Sequence, residues 1–170
     1  MLAPLNLQGW IDENRHLLKP PVGNKCVYTE AGDFIVMIVG GPNSRNDYHY
    51  NESEELFYQI EGDITVKIIE DGKPRDIHVR EGEMFLLPAK IPHSPQRTAG
   101  SIGLVIEKKR DEEDTDGMMW FCKNCGEKLH DEYFHLEDIV AQLPPVIKRF
   151  NDSLEARTCS TCGSVMALPE

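Results

Sequence analysis

The sequence contains no run approaching the roughly 20 apolar residues that a bilayer-spanning helix needs, so no membrane partner is expected. It has no Lys/Arg cluster either. Its 18 basic residues face 29 acidic ones, a net charge of -11, and nucleic-acid phosphates find no electropositive footprint on such a chain. The opening MLAPLNLQGWIDENR carries neither a basic lead nor an uninterrupted apolar stretch, so no signal peptide is expected and the protein is read as cytoplasmic. No internal repeat and no low-complexity tract is present.

What remains is an ordinary globular composition, 40% hydrophobic and 28% charged. A chain of 170 residues can bury one core and carry a small appendage. The five cysteines are unevenly placed. Cys26 stands alone and is expected in the core, whereas Cys122/Cys125 and Cys159/Cys162 form two C-x-x-C pairs, which in a reducing compartment read as metal ligands before disulfides.

Leu7, Trp10, Ile11, Leu17 and Leu18 recur at helical spacing after Asn6, a candidate N-cap, and Pro20-Pro21 ends that helix. From Cys26 to Glu107 the text becomes a series of short β-rich runs: KCVYTE, FIVMIVG, LFYQIEG, ITVKIIE, RDIHVR, MFLLPA and IGLVIEK. Asp71-Gly72 and similar pairs punctuate them. This spacing predicts an antiparallel sandwich or small barrel. The expected organisation is a β domain with an N-terminal helix over 1–109, an acidic linker over 110–117 and a small four-cysteine module over 118–170. In the module, Leu136, Ile139, Val140, Leu143, Ile147 and Phe150 mark one helical face, which Pro144-Pro145 is expected to split into two short helices.

His49 and Glu55 are six residues apart, and the even spacing would put both on one face of a strand. His93 follows where an apolar strand ends at Pro88 and the chain turns at Pro92. Two neutral imidazoles and a carboxylate are the minimal set for a facial triad on non-haem Fe(II), which leaves open positions for substrate and dioxygen. Glu52 and Glu54 read as solvated neighbours. Arg45 precedes His49 by four residues and Arg97 follows His93 by four; an arginine fork beside the metal would take a carboxylate bidentately. On the last β run, alternation puts Glu107 with Val105 and Gly103, opposite Ile102, Leu104 and Ile106. Glu107 thus either lines a cavity or ends an exposed strand.

The segments H-x5-E-x6-G (His49, Glu55, Gly62) and G-x5-P-x4-H (Gly82, Pro88, His93) resemble the two motifs of the cupin superfamily, which implies a mainly β, double-stranded β-helix or jelly-roll barrel. Two positions depart from the pattern. Asp47 stands where many cupins have a further histidine, and Lys90 replaces a glycine. A three-ligand site follows.

MIVGGPNSRNDYHYNESEELFYQIEGD, FLLPAKIPHSPQR and GLVIEKKR, with the two cysteine pairs behind them, resemble the 3-hydroxyanthranilate 3,4-dioxygenase family over essentially the whole chain. The resemblance implies His49, Glu55 and His93 as Fe2+ ligands, and Arg45 and Arg97 as partners of the substrate carboxylate. It implies Glu107 beside the substrate's amino and hydroxyl groups. Substrates would be 3-hydroxyanthranilate and O2, in the kynurenine route to NAD, and the assembly a homodimer. Read without the resemblance, the same ligands also suit another cupin enzyme, such as a thiol dioxygenase or isomerase, or a non-catalytic sensor of a small acid.

CKNCG and CSTCG (Cys122, Cys125, Cys159, Cys162) can each form a knuckle, with Gly126 and Gly163 easing the turns. Four thiolates make a closed tetrahedral site for Fe or Zn with no room for substrate. The resemblance points to a rubredoxin-like iron centre there.

Overall fold

A computed structural model describes residues 3–20 and 23–169. Two antiparallel sheets face each other. One carries β1 (Asn24–Cys26), β2 (Phe34–Gly40), β9 (Ile102–Lys108), β4 (Glu55–Glu61) and β7 (Met84–Leu87), in that order. The other carries β11 (Lys128–Phe134), β10 (Asp116–Phe121), β3 (Tyr48–Tyr50), β8 (His93–Arg97), β5 (Ile64–Glu70) and β6 (Lys73–Val79). Alternation along the strands sends Phe57, Leu87 and Val105 of the first sheet against Ile64, Val66, Ile68 and Val79 of the second, and these form one buried core. This is the mainly β, two-sheet barrel expected from the sequence, with a four-cysteine cluster and short helices behind it.

Local rules account for much of the chain. Helix α1 (Leu7–Asn14) starts at Asn6, whose side chain accepts a hydrogen bond from the Gly9 amide at 2.9 Å, satisfying an otherwise unpaired donor. A 3-10 turn over Arg15–Leu17 ends it. Ile11 and Leu18 then pack with Ile38 and Ile102 on the outside of the first sheet. Pro21 lies outside the described residues. Asp71-Gly72 joins β5 to β6 with both residues at positive φ, 51° and 72°, as a tight hairpin matched to strand twist requires.

Three expectations need correction. Pro144-Pro145 does not split the C-terminal helix: α2 runs unbroken over Ile139–Asp152. Asp138 accepts a hydrogen bond from the Ala141 amide, and the Gln142 side chain accepts from the amides of Glu137 and Asp138. Val146 and Phe150 pack with Met118, Trp120 and Met166, and Phe150 stacks on Trp120 at 4.2 Å. That burial offsets the hydrogen bonds the prolines cannot make. (The Val140 side chain lies outside the described residues.) Cys26 is not in the core; it is exposed, because β1 is a three-residue edge strand. The charged stretch 110–117 does more than connect, since the side chains of Arg110 and Asp116 are buried and β10, beginning at Asp116, pairs with β3.

Candidate metal centre and substrate cavity

His49 and Glu55 do not share a strand. The chain leaves the second sheet after β3 and enters the first at β4, so the two side chains meet across the barrel interior. His93 opens β8, directly opposite His49 in the β3–β8 pairing. The ligand atoms of His49, Glu55 and His93 lie within 4.8 Å of one another, and all three residues are buried. His93 Nε2 is 3.1 Å from a Glu55 oxygen, while its Nδ1–H donates to the Ile91 carbonyl at 3.0 Å. His49 Nε2 is 2.7 Å from Asp116 Oδ2.

The charges oppose burial. Burial disfavours a charged Glu55, yet His93 and His49 hold it below the usual carboxylate range. For Glu107, paired opposite Glu55 on β9, burial and then Glu55's charge prevail, pushing it up to about 7 against Arg110. His49 is pushed down, chiefly by burial. His93 is burdened by burial too, but Glu55 raises it above its ordinary value.

A cavity of ≈ 120 Å³ opens on this group, lined also by Arg45, Arg97 and Glu107, with Phe57, Val105 and Pro95 as apolar walls. Alternation along β8 aims Arg97 the same way as His93, as expected. Arg97 is only 6% exposed, has no ion-pair partner among the described residues, and buries an Nη1 with no hydrogen bond. Burial lowers its pKa to about 10. Gly103 makes room for it: a Cβ there would sit 2.9 Å from Arg97 Nη1. Arg45 precedes β3 rather than lying in it, and its guanidinium pairs with Asp47. Glu52 and Glu54 are exposed, as expected.

The four cysteines converge as well, their sulfurs all within 4.8 Å of one another. The two knuckles repeat one pattern. Gly126 N–H donates to the Cys122 carbonyl and Gly163 N–H to that of Cys159, both at 2.9 Å. Both glycines take positive φ, 79° and 73°. Hydrogen bonds from Asn124 and Ser164 hold the Cys162 thiol down at about 5, suiting it to bind metal as thiolate.

The model of the family described as 3-hydroxyanthranilic acid dioxygenase matches residues 1–151 of this chain. The chain belongs to that family. A relative from Xanthomonas euvesicatoria, named 3-hydroxyanthranilate 3,4-dioxygenase, is 54% identical over 170 residues, covering 100% of this chain and 96% of its own. Dioxygenases of the same name from Neurospora crassa and Jannaschia are 49% and 53% identical, over 95% and 96% of this chain and 88% and 91% of theirs. A cupin-2 domain protein from Shewanella frigidimarina aligns with 58% of this chain and 91% of its own at 18% identity, TM-score 0.48.

Beyond the residues legible in the sequence of this family member, the site recruits five others. Arg110 and Asp116 come from the charged stretch, where no periodicity singles them out. Asn51 is buried with its Nδ2 at 3.5 Å from Glu55, and its Oδ1 is unpaired. Its spacing two residues after His49 was the available signal. Ile139 and Leu143 of α2 also reach the cavity; an apolar helix face carries no mark of which neighbour it will cover.

Proposed function

We propose that this protein is a ring-cleaving 3-hydroxyanthranilate 3,4-dioxygenase. It takes 3-hydroxyanthranilate and O2 to 2-amino-3-carboxymuconate semialdehyde, the precursor of quinolinate in NAD biosynthesis. The observation that carries the reading is one cavity holding both the buried His49/Glu55/His93 group and an unpaired arginine, Arg97. The donor set fits Fe(II): two imidazoles able to be neutral and one carboxylate held ionised, with room left for other ligands. Bound there, iron supplies the spin and Lewis-acid chemistry that lets triplet dioxygen react with a closed-shell ring.

The residues of the chain do the positioning. Arg97, with Arg45 beside it, takes the substrate carboxylate; a buried guanidinium lacking a partner strongly favours an anion. Glu107, on the far side of the cavity, accepts a hydrogen bond from the substrate's amino or hydroxyl group and holds its proton. Phe57, Val105 and Pro95 enclose the ring and exclude water. Such fixed geometry is worth several kcal/mol, on the order of 7–11 in favourable cases. The four-cysteine site is a closed structural centre for Fe or Zn, since no coordination position remains for substrate.

A homodimer is also proposed. The outer face of the first sheet carries Val36, Ile106, Leu56 and Leu86 in one cross-strand row, with Leu104, Tyr58 and Met84 beside it. Met84 and Leu86 are 69% and 53% exposed. A contiguous apolar patch of this kind suits a self-complementary interface with a second copy.

The test is anaerobic reconstitution with Fe(II), followed by 3-hydroxyanthranilate and air. Oxygen uptake and a product that decays to quinolinate are expected, both lost in His49→Ala and Glu55→Ala. Folded, iron-loaded protein that binds the compound without consuming oxygen would sink the proposal.

A further inference from the structure

We propose that Asp116 and Arg110 are positioning residues: Asp116 fixes His49 in the tautomer that offers Nδ1 to the metal, and Arg110 ties that imidazole to Glu107. The inference rests on the metal reading of His49, Glu55 and His93.

Asp116 approaches His49 Nε2 at 2.7 Å but stands outside the group whose ligand atoms cluster within 4.8 Å. It is therefore behind the imidazole rather than a fourth ligand. Arg110 grips it twice, Nε to Oδ1 at 2.8 Å and Nη2 to Oδ2 at 2.6 Å. A carboxylate so held is ionised and can only accept. His49 must then donate Nε2–H, and a neutral ring with its proton on Nε2 keeps a lone pair on Nδ1 alone. His93 is set the opposite way, since its Nδ1–H goes to the Ile91 carbonyl and Nε2, 3.1 Å from Glu55, is the nitrogen turned toward the ligand group. The two imidazoles thus offer different nitrogens, each chosen by the bond on its far side.

Arg110 extends the arrangement. Its Nη1 donates to Glu107 Oε2 at 2.5 Å, and in that pair the side chains are 4% and 3% exposed. One guanidinium therefore joins the carboxylate behind a metal ligand to the carboxylate proposed to face the substrate. A lysine ammonium has no planar fork to span both.

Two measurements test this. In wild-type protein labelled with 15N-histidine, zinc in the four-cysteine site and the triad metal-free, long-range 15N–1H correlation should place the His49 proton on Nε2. A proton on Nδ1 would overturn the proposal, and this reading needs no variant to fold. The second is Mn(II) affinity of the same zinc-loaded protein, followed by electron paramagnetic resonance. Asp116→Asn should weaken binding roughly 10- to 100-fold, and Arg110→Lys should weaken binding and raise the KM for 3-hydroxyanthranilate. Wild-type affinity in folded Asp116→Asn would overturn this inference alone. Wild-type protein that binds no Mn(II), or His49→Ala that binds it equally well, would overturn the metal reading and this inference with it.

Discussion

His49 and His93 face each other across neighbouring strands, His49 on β3 opposite His93 on β8, with ring centroids 5.3 Å apart and the planes at 68°. Strand pairing alone therefore brings two of the three proposed ligands together. Glu55 completes the group from the opposing sheet, so the centre also pins the two sheets to each other.

Removing Arg97 should cost binding and not stability. Its guanidinium has a buried, unpaired Nη1, so Arg97→Ala relieves an unsatisfied group while deleting a charge-assisted contact to substrate worth about 1.5–3 kcal/mol. The expected result is a KM raised roughly 10- to 150-fold with an undiminished melting temperature. Gly103→Ala, which crowds the same guanidinium, should move KM in the same direction. Steady-state kinetics beside thermal unfolding checks both; an unchanged KM removes Arg97 from the carboxylate pocket.

Lys90→Gly should stabilise the protein. Lys90 sits at φ 66°, a left-handed conformation unfavourable for a residue with a Cβ, and its amide bond to the Asn51 carbonyl at 2.9 Å survives the change. Its Nζ–Glu52 pair at 3.3 Å is on the surface and contributes little. A gain of about 0.5–1 kcal/mol is expected, read from denaturant midpoints at constant m-value, with activity unaltered.

Metal affinity should fall on acidification because of His93. Burial disfavours its imidazolium, but Glu55 more than offsets this and the pKa lies above the ordinary 6.5. A metal must displace that proton, so apparent affinity should drop about tenfold per pH unit below this pKa and level off above it. In the metal-free protein the His93–Glu55 pair has the matching sign. Its stabilisation is present below pH 6.5, until Glu55 itself is protonated, and is lost as pH rises through the raised value. Mn(II) titrations and metal-free melting curves between about pH 5.5 and 8.5 check both.

Leu86→Glu and Met84→Glu should separate the proposed dimer. Both side chains project outward from the edge strand β7, so a carboxylate there costs the monomer little and the self-complementary interface twice. Light scattering should report a mass near 19.3 kDa for the variants and double that for the wild type.

The parts legible in the sequence are those set by local rules. Seven β-rich runs, the Asn6 cap, the Asp71-Gly72 hairpin and the cysteine knuckles follow from alternation, side-chain hydrogen bonding and glycine's freedom. The strands that escaped, β3 and β8, are short and polar precursors of the site: HSPQR is buried almost throughout because it lines a cavity, a context that propensity does not encode. β11 reads as polar, and β10 follows a charged stretch. Arg110 and Asp116 were hidden for the same reason, since a buried charge network looks like a solvated run until its partners fold around it. The His49–Glu55 spacing pointed to two residues that do converge, but across two sheets rather than through one strand.

The pairing of β10 with β3 has a consequence for where this protein can be divided. β3 is three residues long, and its neighbours are β8 on one side and β10 on the other, with Met118 directly opposite His49. A chain ending at Lys109 would strip β3 of one edge, leave Tyr48, His49 and Tyr50 with unpaired backbone groups, and lose Asp116 as well. Recombination or engineering that exchanges the cysteine module must therefore carry β10 across intact, because the seam between barrel and module runs along β3, the strand that carries His49.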